Sequence, residues 1–136
     1  MSTPQLNDLV LTKWLDHCAY HYGVTIQQLY YSFVSKERML ELNQTHLDHD
    51  THTDIITFDY GDSTSISAEI YISTDQCEKN AQIYNVSIEN ETLRLICHGF
   101  LHCIGYNDKN EDEKNQMREE ENYCIELFHV KHRENV

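Results

Sequence analysis

The chain has 136 residues, 40% of them hydrophobic, with one proline, four glycines and a formal net charge of −13. That length suits one core and a single domain over 1–136, and so little proline and glycine argues against long flexible linkers. The negative charge argues against a broad electrostatic grip on nucleic acid, which usually needs a basic face, and no apolar run approaches the ~20 residues of a membrane span.

Met1 to Val10 shows neither the basic stretch nor the apolar core of a secretory signal, so the cytoplasm is the expected compartment. Leu6, Leu9, Val10, Trp14, Leu15 and Cys18 recur at helical spacing and predict a helix from about Gln5 to His21, stopped at Gly23. Gln27 to Val34, rich in aromatic and β-branched residues, reads as a strand. Ser35 is placed to cap a helix over about Lys36 to Asn43, with Met39, Leu40 and Leu42 inward. His46, His49 and His52 follow at a spacing of three, but their stretch is polar and turn-like and reads as a solvated loop. Thr53 to Phe58 predicts a second strand with Asp54 anchoring the loop before it, or capping the strand's start. Gly61 to Ser67 reads as a polar turn and Ala68 to Ser73 as a further strand. Ser73 or Thr74 caps a helix of about Asp75 to Tyr84. Glu111 to Phe128 predicts the last helix, packing through Met117, Tyr123, Cys124, Ile125, Leu127 and Phe128. Its segment from Glu111 to Glu121 holds six acidic residues against two basic ones and reads as a solvated face, and the tail from Val130 to Val136 is expected to fray. The five cysteines are odd in number and contain no C-x-x-C pair, so they read as reduced, mostly buried small hydrophobes.

The chemistry concentrates in His98-Gly99-Phe100-Leu101-His102-Cys103-Ile104-Gly105-Tyr106-Asn107-Asp108. Leu93 to Cys97 and the apolar residues that follow predict a helix buried nearly all round, capped by Ser87, with Glu89 and Glu91 favourable in its first turn. Histidines four apart project from one side of a helix, which suits two imidazole nitrogens meeting one zinc ion at roughly 2.0–2.1 Å each. Gly105 offers the left-handed residue that ends the helix, so the chain can turn back and bring Asp108 as a third ligand. Three protein ligands leave a position open for water, as a catalytic metal site requires. Gly99 inside the helix suggests another segment approaching closely beside His98. Cys97 and Cys103 each point about 100° away from the neighbouring histidine and are not counted as ligands.

This stretch resembles the signature of the YbeY family of metal-dependent endoribonucleases, H-G-x-L-H-x-x-G-Y-x-x, with His98, Gly99, Leu101, His102, Gly105 and Tyr106 in register. The family's third ligand position falls on Asp108, where most members have histidine, and its loop arginine falls on Leu47. Thr53 to Phe58 and Ala68-Glu69-Ile70 also resemble family strands, the first of which lies beside the metal cleft in that family. The resemblance implies cleavage of single-stranded RNA in maturation of the 3′ end of the small-subunit ribosomal RNA and in ribosome quality control. It implies the small ribosomal subunit as a partner, with neither DNA nor a membrane.

The expected architecture is α+β: a small mixed sheet of about four strands packed with about five helices, the metal site lying on a buried helix and its exit loop. His98, His102 and Asp108 are the expected catalytic and metal-binding residues, holding one divalent ion per chain, zinc by ligand type or another divalent metal. A metalloprotease would need glutamate directly after the first histidine, where Gly99 stands. Two histidines and an aspartate also match the ligand set of non-haem iron oxygenases, which usually sit on β-rich barrels. A ribosome-binding module with a structural metal is the remaining alternative.

Overall fold

The computed structural model describes residues 8–44 and 54–134, with side chains to residue 130. The elements run α1 (Asp8–Tyr22), β1 (Thr25–Val34), α2 (Lys36–Leu42), β2 (Ile55–Asp59), β3 (Ser65–Ser73), α3 (Thr74–Ile83), α4 (Ile88–Cys103) and α5 (Glu111–Glu134). The class is α+β. The expected helix start at Gln5, Leu6, the histidines His46, His49 and His52, Leu47, Thr53 and residues 135–136 lie outside the described residues.

Among the described residues one mixed sheet has three strands, not about four, in the order β1-β3-β2. β3 runs parallel to β1 and antiparallel to β2. The expected turn over Gly61 to Ser67 is shorter than the sequence suggests, because the alternation of β3 begins earlier. Ile66, Ala68, Ile70 and Ile72 are each at most 2% exposed and form one continuous inward row. Each buried isoleucine contributes about 1.5–3 kcal/mol relative to leaving it in water.

That row meets Leu11, Trp14, Leu15 and Cys18 of α1, Ile96 and Phe100 of α4, and Cys124 and Phe128 of α5. Leu9, counted in the expected helical stripe, is instead 65% exposed. The Trp14 indole donates to the Cys124 carbonyl at 2.7 Å, fastening α1 to α5. The opposite sheet face is smaller. Met39 and Leu42 of α2 pack there with Ile56, Val34, Phe58 and Tyr71. β2 therefore turns Ile56 and Phe58 toward α2, while Ile55 and Thr57 face α4.

Caps set the helix starts: the hydroxyls of Ser35, Ser73 and Ser87 accept from the backbone N–H groups of Arg38, Gln76 and Asn90. At the other end of the chain α5 continues to Glu134 rather than fraying after Val130. Neither glycine nor proline is present there to stop it. Tyr123, expected in the core, is 43% exposed and sets its ring 4.3 Å from that of His21. No helix among the described residues is long and apolar enough to cross a membrane.

Candidate metal centre

Between Glu91 and Cys103, α4 is buried on every side except at Arg94, His98 and His102. These three lie four apart, so they form one stripe down a helix otherwise enclosed by protein. The helix ends at Ile104 in two backbone hydrogen bonds: the Gly105 N–H reaches the His102 carbonyl and the Tyr106 N–H the Leu101 carbonyl, both at 3.1 Å. This paired closure needs a left-handed residue, and Gly105 supplies it with φ of 110°. The chain then folds back over the last turn of α4 and delivers Asp108 to the histidines.

The His98 and His102 Nε2 atoms are 3.0 Å apart, and Asp108 Oδ2 lies 3.2 Å from the first and 3.5 Å from the second. A tetrahedron with metal–ligand bonds of 2.0–2.1 Å has edges of about 3.3 Å, so the triangle has the size zinc requires. Tautomers agree with this. His98 Nδ1 donates to Glu121 Oε2 at 2.7 Å, and His102 Nδ1 donates to the Tyr106 carbonyl at 2.9 Å. Carboxylate and carbonyl oxygens only accept, so both Nδ1 atoms carry the hydrogen, and each ring presents an Nε2 lone pair once it is neutral. Two lone pairs and a carboxylate oxygen directed at one point form a donor set that a divalent cation fits.

Glu121 is 5% exposed and also accepts from the Arg94 guanidinium at 2.9 Å. Burial alone would depress the His98 pKa. The Glu121 hydrogen bond and charge, with Asp108 and Asp54 behind them, outweigh it and raise the pKa above 6.5. Cys103 is pushed up to about 12 by burial, and burial likewise raises Cys97. Both remain thiols, and neither belongs to the converging group.

The walls are held just as closely. A Cβ added to Gly99 would sit 2.9 Å from Ile70 Cδ1, 3.1 Å from Thr57 Oγ1 and 3.2 Å from Ile55 Cδ1. The expected close approach beside His98 is thus made by β2 and β3. Asp54 is anchored: its carboxylate accepts from Asn80 Nδ2 at 3.1 Å and its carbonyl from the Ser73 N–H at 3.0 Å. Asn80 also donates to Glu91 at 3.3 Å. Glu91 is only 3% exposed, so the acid expected merely to favour the start of α4 is buried beside the site. Two clefts meet at His98 and Asp108. One, of about 410 Å³, runs between α3, α4 and α5, and the other, of about 440 Å³, runs along β2 past Thr57, Asp59 and His102.

The structure brings all three expected ligands together. Glu121 and Arg94 are the members that sequence reasoning missed. Glu121 lies in an acidic run, yet it falls four after Met117, three before Cys124 and seven before Phe128, in the apolar stripe of α5. An acid in such a stripe is the signal that marks it as buried. Arg94 carried a similar mark, falling four before His98 in a run of apolar residues.

The family described as "Endoribonuclease YbeY" matches residues 3–129 of the chain. Proteins named Endoribonuclease YbeY are similar to it: that of Bacteroides thetaiotaomicron is 37% identical over 91% of this chain and 90% of the relative. The protein of the same name from Flavobacterium psychrophilum is 41% identical over 76% and 74%. The solution structure of TM1509 from Thermotoga maritima superposes with a TM-score of 0.67 at 28% identity, covering 92% of this chain and 83% of that one. This chain belongs to the YbeY endoribonuclease family.

Proposed function

We propose that the protein is a metal-dependent endoribonuclease that cuts single-stranded RNA, acting as one cytoplasmic domain in maturation of the small-subunit ribosomal RNA 3′ end and in ribosome quality control, with the small ribosomal subunit as partner. One observation carries the reading: two Nε2 lone pairs and the Asp108 carboxylate converge within 3.5 Å of one another where two clefts meet. We assign His98, His102 and Asp108 as the ligands and zinc as the ion, on ligand type and on the size of the triangle. When bound, a divalent ion lowers the pKa of water toward ~7 and polarises a phosphoryl oxygen.

The chain's own residues prepare that chemistry. Glu121 and the Tyr106 carbonyl fix the tautomer and orientation of the two rings. Gly99 lets β2 close against α4, so Ile55 and Thr57 wall the site beside His98. Asn80 holds Asp54 at the mouth shared by both clefts. Peptide hydrolysis is disfavoured because Gly99 occupies the place of the glutamate that serves as base in helical zinc proteases.

The test combines elemental analysis with cleavage of single-stranded RNA. One divalent ion per chain and cleavage lost on chelation and on His102→Ala are expected. Cleavage persisting after demonstrated metal removal, or proteolysis lost on His102→Ala, would overturn the reading.

A further inference from the structure

The acidic balance of the chain leaves open how it holds an RNA backbone, and the larger distribution of charge around the metal centre bears on this. The chain has ten lysines and arginines, and three of them, Arg94, Lys114 and Arg118, line the 410 Å³ cleft that reaches His98 and Asp108. Among the described residues, the lining of the other cleft holds Asp54 and Asp59 and neither lysine nor arginine. Among the described residues, the cations of these two clefts thus lie in one of them.

Arg94 is committed to Glu121 and Asn122. Lys114 and Arg118 are not committed: neither forms an ion pair among the described residues, although the first two turns of α5 carry Glu111, Asp112 and Glu113. They lie four apart on α5, about 6 Å along its axis, so they share a face and repel one another. The carboxylates that share their cleft are largely occupied. Glu121 is taken by Arg94 and His98, Asp108 faces the histidines, Asp54 accepts from Asn80, and Glu91 is buried against the same amide. Glu111 is the one left facing the pair. On the α3 side of the cleft Tyr84 is 61% exposed, an aromatic face with room for a base.

Building on the endoribonuclease reading, we propose that Lys114 and Arg118 form a phosphate-binding subsite that leads a single RNA strand along α5 to the metal centre, with Tyr84 as the stacking wall. Single strands are held in this way by cations that track the backbone and aromatic rings that accept any base. Two cations on one face, about 6 Å apart, serve successive phosphates.

The experiment measures kcat and KM for metal-dependent cleavage of a fluorescein-labelled single-stranded oligoribonucleotide of about ten nucleotides across a salt series. Wild type is compared with Lys114→Ala, Arg118→Ala, the double variant, Lys114→Arg, Tyr84→Ala and the control Lys13→Ala, which lies on α1 outside the cleft. Each lost phosphate contact should flatten the dependence of log(kcat/KM) on log[salt] by about 0.7, and the double variant by about 1.4. The double variant should raise KM about tenfold with a smaller change in kcat, while Lys114→Arg retains the wild-type slope. Tyr84→Ala should raise KM and leave the slope intact. Metal affinity, read by titration with a chromophoric chelator, should be unaltered in all of them. A double variant with wild-type slope and KM overturns the subsite alone if the wild type cuts RNA. A wild type without metal-dependent RNA cleavage overturns the endoribonuclease reading and the subsite with it.

Discussion

His98 Nδ1 donates to the Glu121 carboxylate across 2.7 Å, joining residues 23 positions apart on two packed helices. With Glu121 5% exposed and pinned from its other side by Arg94, the imidazole can hold little but the orientation that aims Nε2 at His102 and Asp108. Glu121→Gln should therefore weaken metal affinity by about 10–100-fold, the usual effect of losing a carboxylate behind a histidine ligand. Glu120→Gln is the matched control, because Glu120 meets Tyr22 and Gln116 instead. Competition against a chromophoric chelator measures both, and equal affinity in Glu121→Gln and wild type would end this account of Glu121.

The same contact gives the metal-free protein a pH signature. Burial opposes charging His98, but Glu121 with Asp108 and Asp54 raises its pKa above 6.5. The folded state then holds a proton that the unfolded chain releases. The resulting stability is fully present below about pH 6.5 and is lost as pH rises through the folded-state pKa. Chelated protein should lose stability over that window in denaturant titrations. Metal binding needs the neutral ring, so the stabilisation from added metal should grow over the same window.

As the proposed third ligand, Asp108 would set the charge of the centre. Two neutral imidazoles and one carboxylate leave a divalent site near +1, whereas three imidazoles leave +2. Asp108→Ala should weaken metal binding by about tenfold or more. Asp108→His should keep the metal and move the basic limb of the cleavage profile to lower pH, since a more positive centre acidifies water further. Metal titration and pH–rate profiles of both variants check this, and wild-type affinity in Asp108→Ala would remove Asp108 from the ligand set.

Gly99→Ala sets two effects against each other. Alanine favours the helix by about 1 kcal/mol over glycine. Its Cβ, however, would lie 2.9 Å from Ile70 and 3.1 Å from Thr57, and overpacking of this kind costs about 1–3 kcal/mol. We expect a net loss of roughly 1 kcal/mol with β2 displaced from the metal cleft. Urea unfolding of the apo-protein measures it, and a stabilised variant would show that the β2–α4 contact yields freely.

Glu91 should respond in the opposite direction. Burial raises its pKa against the lowering pull of the Asn80 hydrogen bond and Arg94, with Asp54 and Glu121 adding to the rise. Because its folded pKa lies above the unfolded value, the ionised form costs stability at neutral pH, and that cost fades as pH falls through the folded pKa. Glu91→Gln retains an acceptor for Asn80 and carries no charge. It should unfold at higher urea than wild type at pH 7 and converge with it in acid.

Features carried by short sequence distances were legible in advance. The α4 helix, its serine cap, the glycine closure and the three candidate ligands all depend on residues within a few turns of one another. Glu121 was harder to read as a buried group, because its acidic neighbours made a solvated face the simpler reading and only its place in the apolar stripe of α5 marked it. The start of β3 was placed too late for a related reason. Ser65 to Ser67 looks like a turn from its small polar residues, but Ile66 lies in register with Ile26 of β1 and extends β3. Leu9 shows the converse, an apolar residue at helical spacing for which the fold provides no partner surface.

The closure at Gly105 confines all three candidate ligands to eleven consecutive residues, His98 to Asp108, whereas Glu121 belongs to the next helix. Ligand proximity is thus a local property of the chain, and ligand aim is a tertiary one. A partly folded molecule with α4 formed and α5 detached would possess a cation trap without its sight. Such a molecule would bind a divalent ion more weakly than the complete fold does. An ion held by all three ligands would in turn strengthen the docking of α5 on α4, because only the complete fold aims His98 at it.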